Sequence, residues 1–216
     1  MQPWRQSSCI SSLAVALLAA APASPAGAAR DLQIEAQREG AAVEIKAHAE
    51  LDAPLALAWQ VLTDYERLPA FIPGIAKSVV RERHGATLLV EQSGAARFLV
   101  FSFPIEVRYE VTERPQQSVE SHAVGGNLRR MNGRYELEPG AEPLTVRLRY
   151  HGLIEPDFNL PPLIGVAALR SMAEEQFAAM VAEIERRAAE AGAAEPSGRA
   201  SEPSGRASEP SGRVAK

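Results

Sequence analysis

The side chains that most often carry catalysis are few and scattered in this sequence of 216 residues. The four histidines form neither an H-E-x-x-H motif nor a pair at metal-ligand spacing, and no G-x-S-x-G motif occurs. Asp64 and Glu66 lie near a predicted helix end, where carboxylates more often cap the helix or face solvent than act as an acid and base. The sequence therefore predicts no catalytic residue, no metal site and no cofactor.

A second group of chemically informative residues consists of polar side chains within apolar, alternating segments. Side chains of a strand alternate between its two faces, so one face of the segment 101–111 carries Phe101, Phe103, Ile105, Val107, Tyr109 and Val111. By the same rule Gln92, Met131, Tyr135 and Tyr150 point inward from other predicted strands. A buried phenol or amide without a hydrogen-bond partner costs about 1–3 kcal/mol. We therefore predict that Gln92, Tyr109, Tyr135 and Tyr150 orient a ligand; the alternative is ordinary core tyrosines whose hydroxyls reach the rim.

The elements that must position these residues follow from hydrophobic periodicity. Val43 to Leu51 alternate as a first strand, and a helix follows Pro54, with Asp52 placed to cap it and Trp59 on its buried face. Six further strands are predicted at 76–83, 86–93, 97–112, 117–124, 128–137 and 144–154, and a long amphipathic helix follows Pro161-Pro162. The order predicts an α+β fold: strand, two short helices, six strands, long helix.

Between the first helix and the second strand, the segment DYERLPAFIPG contains two prolines four residues apart. A proline disfavours helical geometry in the residue before it, so Leu68 and Ile72 are expected to mark breaks, with at most one short turn between Glu66 and Phe71. Phe71 and Ile72 would then be held in a rigid elbow.

Both ends of the chain differ in composition from the middle. Arg5, the apolar stretch from Ile10 to Ala21 and the sequence Ala26-Gly27-Ala28 are typical of a secretory signal, which predicts a signal peptide at residues 1–29 and an exported, periplasmic protein. Three EPSGR repeats predict a disordered tail at residues 191–216, since proline, glycine and polar residues cannot form a core. The folded domain is predicted at residues 41–190.

Charge argues against one class of partner. The formal net charge is −4, and removal of Arg5 with the signal changes it to −5. Adjacent basic residues occur only as pairs such as Arg129-Arg130, and no longer lysine or arginine block is present. This composition predicts no nucleic-acid partner.

The stretches VLTDYERLPAFIPGI, VEQSG and NLRRMNGRYELEP, together with the final amphipathic helix, resemble the START-like SRPBCC superfamily, and most closely its polyketide cyclase/dehydrase and coenzyme Q-binding branch. The resemblance covers residues 43–187. It implies a helix-grip fold, in which a curved antiparallel sheet surrounds the long final helix and leaves a deep apolar cavity whose mouth is bordered by the short helices.

The resemblance also implies where a ligand would touch the protein. Phe71 and Ile72 would belong to the lid or mouth of the cavity, although they would equally serve as a plug at the end of the core. Trp59 joins the candidate residues from the first helix, with plain packing as the alternative. The long helix would contribute Leu169, Met172, Ala173 and Phe177.

Three functions remain open at this point. The first is a non-catalytic carrier of a hydrophobic small molecule such as a lipid, isoprenoid or quinone, with transient membrane contact. The second is a cyclase/dehydrase-type enzyme, in which the tyrosines and Arg97 steer a poly-carbonyl substrate. The third is an interaction module whose core is filled by its own side chains. The sequence favours the first.

The N-terminal pattern generates a prediction about processing. The chain recovered from the cell envelope should begin at Ala29 or Arg30, because the small residues of Ala26-Gly27-Ala28 fit a signal-peptidase site. N-terminal sequencing of the purified protein measures this directly. Recovery of Met1 from the envelope fraction would contradict cleavage.

Overall fold

The computed structural model describes residues 30–98, 101–157 and 162–194. The side chains of Phe98, Phe101, residues 162–164 and Ala194 lie outside this description, as do the predicted signal segment and residues 195–216 of the predicted tail. The elements, in chain order, are β1 (Arg30–Glu39), β2 (Ala42–Asp52), α1 (Leu55–Leu62), a 3₁₀ turn (Tyr65–Arg67), α2 (Leu68–Phe71), β3 (Ile75–His84), β4 (Thr87–Phe98), β5 (Phe101–Arg114), β6 (Ser118–Gly126), β7 (Leu128–Pro139), β8 (Thr145–Pro156) and α3 (Pro162–Ala194).

The strands form one antiparallel sheet in the order β1-β2-β8-β7-β6-β5-β4-β3. The six strands from β3 to β8 make a continuous meander, and the last of them pairs with β2 from Val43 opposite Ile154 to Asp52 opposite Thr145. The connection from β2 to β3 runs across the sheet and contains α1, the 3₁₀ turn and α2. The predicted α+β arrangement of a curved antiparallel sheet with a long final helix is confirmed.

The inner face of the sheet is the face that α3 covers. Along β5 the side chains of Val107, Tyr109 and Val111 are buried, whereas those of Ser102, Glu106 and Arg108 are exposed, so the predicted alternation is confirmed. On α3 the buried side chains follow helical spacing: Leu169, Phe177, Met180, Val181 and Ile184. These residues join the inner strands in one hydrophobic core.

The outer face of the sheet carries cross-strand ion pairs. Glu91 on β4 accepts hydrogen bonds from Arg81 on β3 at 2.6 Å and from Arg108 on β5 at 2.8 Å, and these bonds lower its pKa. Within the described ranges, none of the helices has the length and apolar character needed to span a membrane.

Four details differ from the sequence-based expectations. β1 was not predicted: it precedes the predicted domain start at residue 41 and pairs with β2. Leu68 is helical despite preceding Pro69, because the proline occupies the first turn of α2, where no amide hydrogen is needed. Asp52 does not cap α1; its side chain pairs with Arg30 at 2.6 Å. Finally, α3 includes residues 191–194, which were assigned to the tail.

The end of the helical connection is pinned to β4 by a close backbone approach. The carbonyl oxygen of Gly74 accepts a hydrogen bond from the amide of Ala95 at 2.9 Å. A Cβ on Gly94 would lie 1.8 Å from that same oxygen, and Gly74 itself has φ +80°, a conformation suited to glycine. Glycine at 94 is therefore required for the connection to pass over the sheet.

This close approach generates a prediction about stability. Gly94→Ala should lower the free energy of unfolding by about 1–3 kcal/mol, because backbone has to move to admit the methyl group. Gly192→Ala is the matched control: its Cβ meets no atom within 4 Å, and alanine in a helix is neutral or stabilising by up to about 1 kcal/mol. Urea denaturation measures both. An unchanged denaturation midpoint for Gly94→Ala would contradict the close contact between Gly94 and the carbonyl oxygen of Gly74.

Candidate functional site

A cavity lies between the inner face of the sheet and α3, and it has two compartments. The inner compartment, of about 150 Å³, is lined by residues from the 3₁₀ turn, α2, the central strands and α3, among them Tyr65, Ile72, Tyr109, Tyr135 and Met180. The outer compartment, of about 130 Å³, is lined mainly by aliphatic side chains, including Ile105, Val107, Leu128, Ile154, Leu169 and Met172. Both compartments share Ile75, Gln92, Met131, Tyr150 and Gln176, so these residues mark the boundary between them.

The outer compartment adjoins a wider surface depression, which we call the vestibule. The vestibule has a volume of about 540 Å³ and shares Gly74, Ile75, Gly94, Ala95 and Met172 with the outer compartment. Its own rim carries Arg97 on β4, Glu106 on β5 and Glu175 on α3. The three spaces therefore adjoin one another in a series from the surface to the inner compartment.

Two tyrosines of the inner compartment form a cross-strand pair. Tyr135 on β7 lies directly opposite Tyr150 on β8, and their ring centroids are 4.6 Å apart with an interplanar angle of 38°. Room for the Tyr150 ring comes from two glycines that also face each other, Gly133 and Gly152. A Cβ on Gly152 would lie 2.2 Å from the Tyr150 hydroxyl oxygen, and one on Gly133 would lie 3.3 Å from it. The Tyr150 ring therefore lies against the sheet at Gly133 and Gly152, which have no side chains.

A third tyrosine reaches the same compartment from β5. Tyr109 lies opposite Ala123 on β6, and Val119 on β6 lies opposite Tyr135 on β7. β6 contributes only smaller side chains to the inner face between Tyr109 and Tyr135. Burial, together with the neighbouring Tyr150 and Tyr109, raises the pKa of Tyr135.

The hydroxyls of these tyrosines differ from that of Tyr65 in their partners. Tyr65 donates a hydrogen bond to Glu113 at 3.0 Å. Within the part of the chain that the structure describes, the hydroxyls of Tyr109, Tyr135 and Tyr150 have no hydrogen-bond partner. Burial raises the pKa of Tyr109 and raises that of Tyr150 to about 12. All three phenols are therefore neutral at physiological pH.

The two amides at the compartment boundary are already engaged by protein groups. Gln92 donates to the Ser78 hydroxyl at 3.2 Å, and Gln176 on α3 donates to the carbonyl oxygen of Pro73 at 3.2 Å. The second bond ties α3 to the end of the helical connection, next to the vestibule.

A second tie holds the beginning of that connection. Arg187 on α3 donates to Asp64 at 3.0 Å and to Glu183 at 2.7 Å, and its guanidinium lies 5.5 Å from the ring centroid of Phe71. We call Asp64, Phe71, Glu183 and Arg187 the latch. Hydrogen bonds from Arg186 and Arg187 lower the pKa of Glu183 to about 2. The pairing of Glu183 with Arg186 and Arg187 therefore contributes stability above a pH of about 4.5, and this contribution is lost as pH falls towards 2.

Eight of the predicted ligand-binding residues line one or both compartments: Ile72, Gln92, Tyr109, Met131, Tyr135, Tyr150, Leu169 and Met172. The two elbow residues have different surroundings. Ile72 faces the inner compartment, whereas the ring of Phe71 faces the guanidinium of Arg187.

The other predicted residues lie elsewhere. Trp59, Phe103 and Ala173 are half-buried, and Phe177 is buried in the core; none of these four lines a compartment. The side chain of Phe101 lies outside the description.

Several lining residues were not among the sequence-based candidates. Gln176 and Met180 belong to the α3 face that periodicity identified, so a signal for them existed. No periodic pattern pointed to Tyr65 or Ser121. Tyr65 follows the end of a helix, and Ser121 is a small polar residue in a short strand. Among the described residues, no cluster of three histidines, cysteines or carboxylates is arranged to hold a metal ion.

Comparison with known families gives one match. The model of the family described as polyketide cyclase / dehydrase and lipid transport matches residues 51–181, which is more than half of the chain. The START-like resemblance predicted from the sequence is thereby confirmed, whereas its coenzyme Q-binding branch is not distinguished. No curated protein gives a significant match.

Solved structures share the fold at low sequence identity. The Zhui aromatase/cyclase from Streptomyces sp. R1128 has a TM-score of 0.57 and 15% identity, over 68% of this chain and 95% of that one. A STAR-related lipid transfer protein from Xanthomonas axonopodis has a TM-score of 0.55 and 15% identity, over 71% and 98%. The human StarD13 lipid transfer and protein localization domain has a TM-score of 0.57 and 14% identity, over 72% and 84%.

The latch generates a prediction with a matched control. Arg187→Met should lower the free energy of unfolding by about 2 kcal/mol, because it leaves Asp64 and Glu183 without their shared partner in a largely buried position. Arg186→Met changes an arginine that pairs with the same Glu183 but is half exposed, so its loss should cost less than about 1 kcal/mol. Chemical denaturation at pH 7 measures both. Equal losses would show that the latch is only a surface ion pair.

Proposed function

Because the chain belongs to the polyketide cyclase / dehydrase and lipid transport family, we propose that it binds and carries an apolar small molecule in the cavity between the sheet and α3. The Xanthomonas axonopodis and human relatives are described as lipid transfer proteins, which agrees with this proposal. The N-terminal sequence pattern supports an exported site of action.

The observation that carries the proposal is the chemistry of the cavity wall. None of the described residues that line the two compartments is Lys, Arg, His, Asp or Glu. The wall consists of aliphatic side chains, methionines, tyrosines and a few neutral polar groups. Such a wall excludes ions and favours the transfer of apolar surface from water. The open compartments also favour a ligand-binding protein over an interaction module with a filled core.

The volumes indicate how a ligand would be accommodated. Ligand pockets of proteins usually have volumes of about 300–1,000 Å³, so neither compartment is sufficient alone. A ligand of lipid size would occupy both compartments and extend into the vestibule. Met131, Met172 and Met180 lie along this route, and methionine adapts readily to ligands of different shape.

The free energy gained by burying apolar surface sets the size of ligand that would bind with micromolar affinity. Burial contributes about 0.8 kcal/mol per methylene, so a ligand with ten buried methylene equivalents gains on the order of 8 kcal/mol. This is close to the roughly 8.2 kcal/mol that corresponds to a dissociation constant of 1 μM, before ordering costs are subtracted. Once these costs are subtracted, micromolar binding requires a ligand that buries more than about ten methylene equivalents, such as a lipid chain that fills both compartments and reaches the vestibule.

A cyclase-type enzyme is the second candidate. One of the structural relatives is an aromatase/cyclase, and three neutral phenols face one compartment, where they would hydrogen-bond the oxygens of a poly-carbonyl substrate. General acid–base catalysis works best with a group whose pKa lies near the working pH. The raised pKa values of Tyr109, Tyr135 and Tyr150 argue against such a role, so binding without turnover is the preferred function.

A cavity-filling substitution tests the proposed function. Ser121 faces the inner compartment from β6, and Ser121→Phe should weaken binding of Nile red, a neutral apolar dye, at least about tenfold by occupying the space. Val124→Phe is the matched control, because Val124 lies on the same strand but is 47% exposed. It should leave the dissociation constant within about twofold of wild type. Fluorescence titration of the full chain measures both, and thermal melts show that each variant is folded.

Two outcomes would contradict the proposal. Wild type that takes up no dye would favour the filled-core alternative, and equal binding by Ser121→Phe and wild type would locate uptake outside the cavity. Solvent extraction of the purified protein followed by mass spectrometry would identify a natural ligand.

A further inference from the structure

The outer face of the sheet has a depression of its own, on the side opposite the cavity. It has a volume of about 480 Å³ and lies over β1, β2, β7 and β8. It is lined by two acidic side chains, Asp31 and Glu136, and by six basic ones: Lys46, His48, Arg134, Arg147, Arg149 and His151. We call this site the basic depression.

The excess of bases in the basic depression contrasts with the charge of the domain. The described ranges contain 24 Asp and Glu residues against 18 Lys and Arg residues, a net charge of −6. The lining of the depression carries four Lys and Arg against two Asp and Glu, a net charge of +2 before its histidines are counted. Positive charge is therefore concentrated at this place on an otherwise acidic domain.

The strand register places bases of the depression directly opposite other bases. His151 on β8 lies between Lys46 on β2 and Arg134 on β7, and His48 on β2 lies opposite Arg149 on β8. A base opposite a base contributes no attraction, and the two repel each other when the histidine carries a proton. Between β4 and β5, by contrast, the register sets an arginine against a glutamate. The two rows of bases therefore do not stabilise the sheet, whereas an anion bound between them would.

The cations of the depression are held in place but keep unused donors. Lys46 and His151 share Glu44, at 3.0 and 2.8 Å, and Arg149 donates from one nitrogen to Glu138 at 3.0 Å. A lysine has three N–H donors and an arginine has five. The contacts of Lys46 and Arg149 with border carboxylates therefore orient these side chains without exhausting their donors.

The two remaining arginines of the depression follow the same pattern. Arg134 donates from Nε to Glu136 at 2.7 Å and from Nη1 to Glu120 at 2.5 Å, while Arg147 lies 3.7 Å from Glu138. The side chains of the four Lys and Arg residues are between 36% and 54% exposed. Their remaining donors are therefore accessible to a ligand from solvent.

We propose that the basic depression binds a small molecule that carries adjacent phosphate groups. A tetrahedral phosphate offers three strong acceptor oxygens, which donors from β2, β7 and β8 can approach at the same time. The volume of the depression lies within the range of about 300–1,000 Å³ that is usual for small-molecule sites, so it also admits an organic remainder. The site is on the face of the sheet opposite the cavity and does not depend on the proposed function.

Larger anions match the depression less well. Glu44, Glu120 and Glu138 border it, and the domain as a whole is acidic, so a membrane or polymer that covers more than the depression meets repulsion. A compact ligand contacts the bases and leaves these carboxylates outside. A polycarboxylate such as citrate carries its charges farther apart, so fewer of them fall between the two rows of bases.

Inorganic pyrophosphate is the probe, and citrate is the comparison anion of similar charge. Isothermal titration calorimetry of the full chain at pH 7 and low salt should give a dissociation constant below about 1 mM for pyrophosphate. Citrate should bind at least about threefold more weakly. The affinity for pyrophosphate should fall as the salt concentration rises, because salt screens charges that are partly exposed.

Substitutions that remove one charge locate the site. Lys46→Gln and Arg149→Gln should each weaken pyrophosphate binding about two- to fivefold, as expected for half-exposed ion contacts. Arg108→Gln is the matched control: Arg108 is on the same face of the sheet, is 55% exposed and pairs with Glu91 at 2.8 Å, much as Arg149 pairs with Glu138. It removes the same charge outside the depression and should change the affinity less than about 1.5-fold.

A substitution that raises affinity gives a result that loss of folded protein does not imitate. Glu136→Gln removes a carboxylate from the lining and releases Nε of Arg134, so it should tighten pyrophosphate binding about two- to fivefold. Thermal melts show that each variant is folded.

Four outcomes would overturn the proposal. The first is wild type that does not bind pyrophosphate, and the second is an equal effect of Arg149→Gln and Arg108→Gln. The third is citrate binding as tight as that of pyrophosphate, which would show a site without preference for phosphate. The fourth is heparin binding without pyrophosphate binding, which would assign this face to an anionic polymer. None of these results bears on Nile red uptake by the cavity, so the proposed function is tested separately.

Discussion

The packing of α3 on the inner face of the sheet is the interaction on which the rest of the structure depends. Its C-terminal half buries Phe177, Val181 and Ile184 in the continuous core. Its N-terminal half contributes Leu169, Met172 and Gln176 to the walls of the compartments. The same helix therefore contributes side chains both to the packed core and to the cavity wall, and its packed positions hold it over the open space.

Much of the fold was predictable from the sequence, because it depends on periodicity that a single chain displays. Alternation along β5 identified Tyr109 as inward-facing, and the proline-rich elbow marked the end of the helical connection. β1 also alternates, through Leu32, Ile34 and Ala36, but it lies between the predicted signal and the predicted domain and was not assigned. Leu68 was wrongly expected to be non-helical, because its proline neighbour is tolerated in a first helical turn.

The site itself was less predictable, for a physical reason. Periodicity shows which face a side chain occupies but not whether packing fills the space before it. Phe71 and Ile72 are adjacent in sequence, yet one stacks beneath Arg187 and the other lines the cavity, and this depends on a helix more than a hundred residues away. The accommodation of Tyr150 depends similarly on glycines of two strands. The polar groups beside the core consequently fall into two kinds. The charges of the latch are paired, whereas the hydroxyls of Tyr109, Tyr135 and Tyr150 have no hydrogen-bond partner among the described residues.

The strand order has a consequence for how the chain assembles. On its side away from β1, β2 pairs with β8, so contacts such as that between Glu44 and His151 join residues 107 positions apart. The six strands of the meander pair with their sequence neighbours and can form from local contacts, whereas the β1–β2 hairpin retains an unpaired edge until β8 has been synthesised. Non-local pairing of this kind slows folding, and an exposed strand edge invites association with other chains. The first strands of the sheet therefore cannot complete their pairing until the last strand of the sheet has been made.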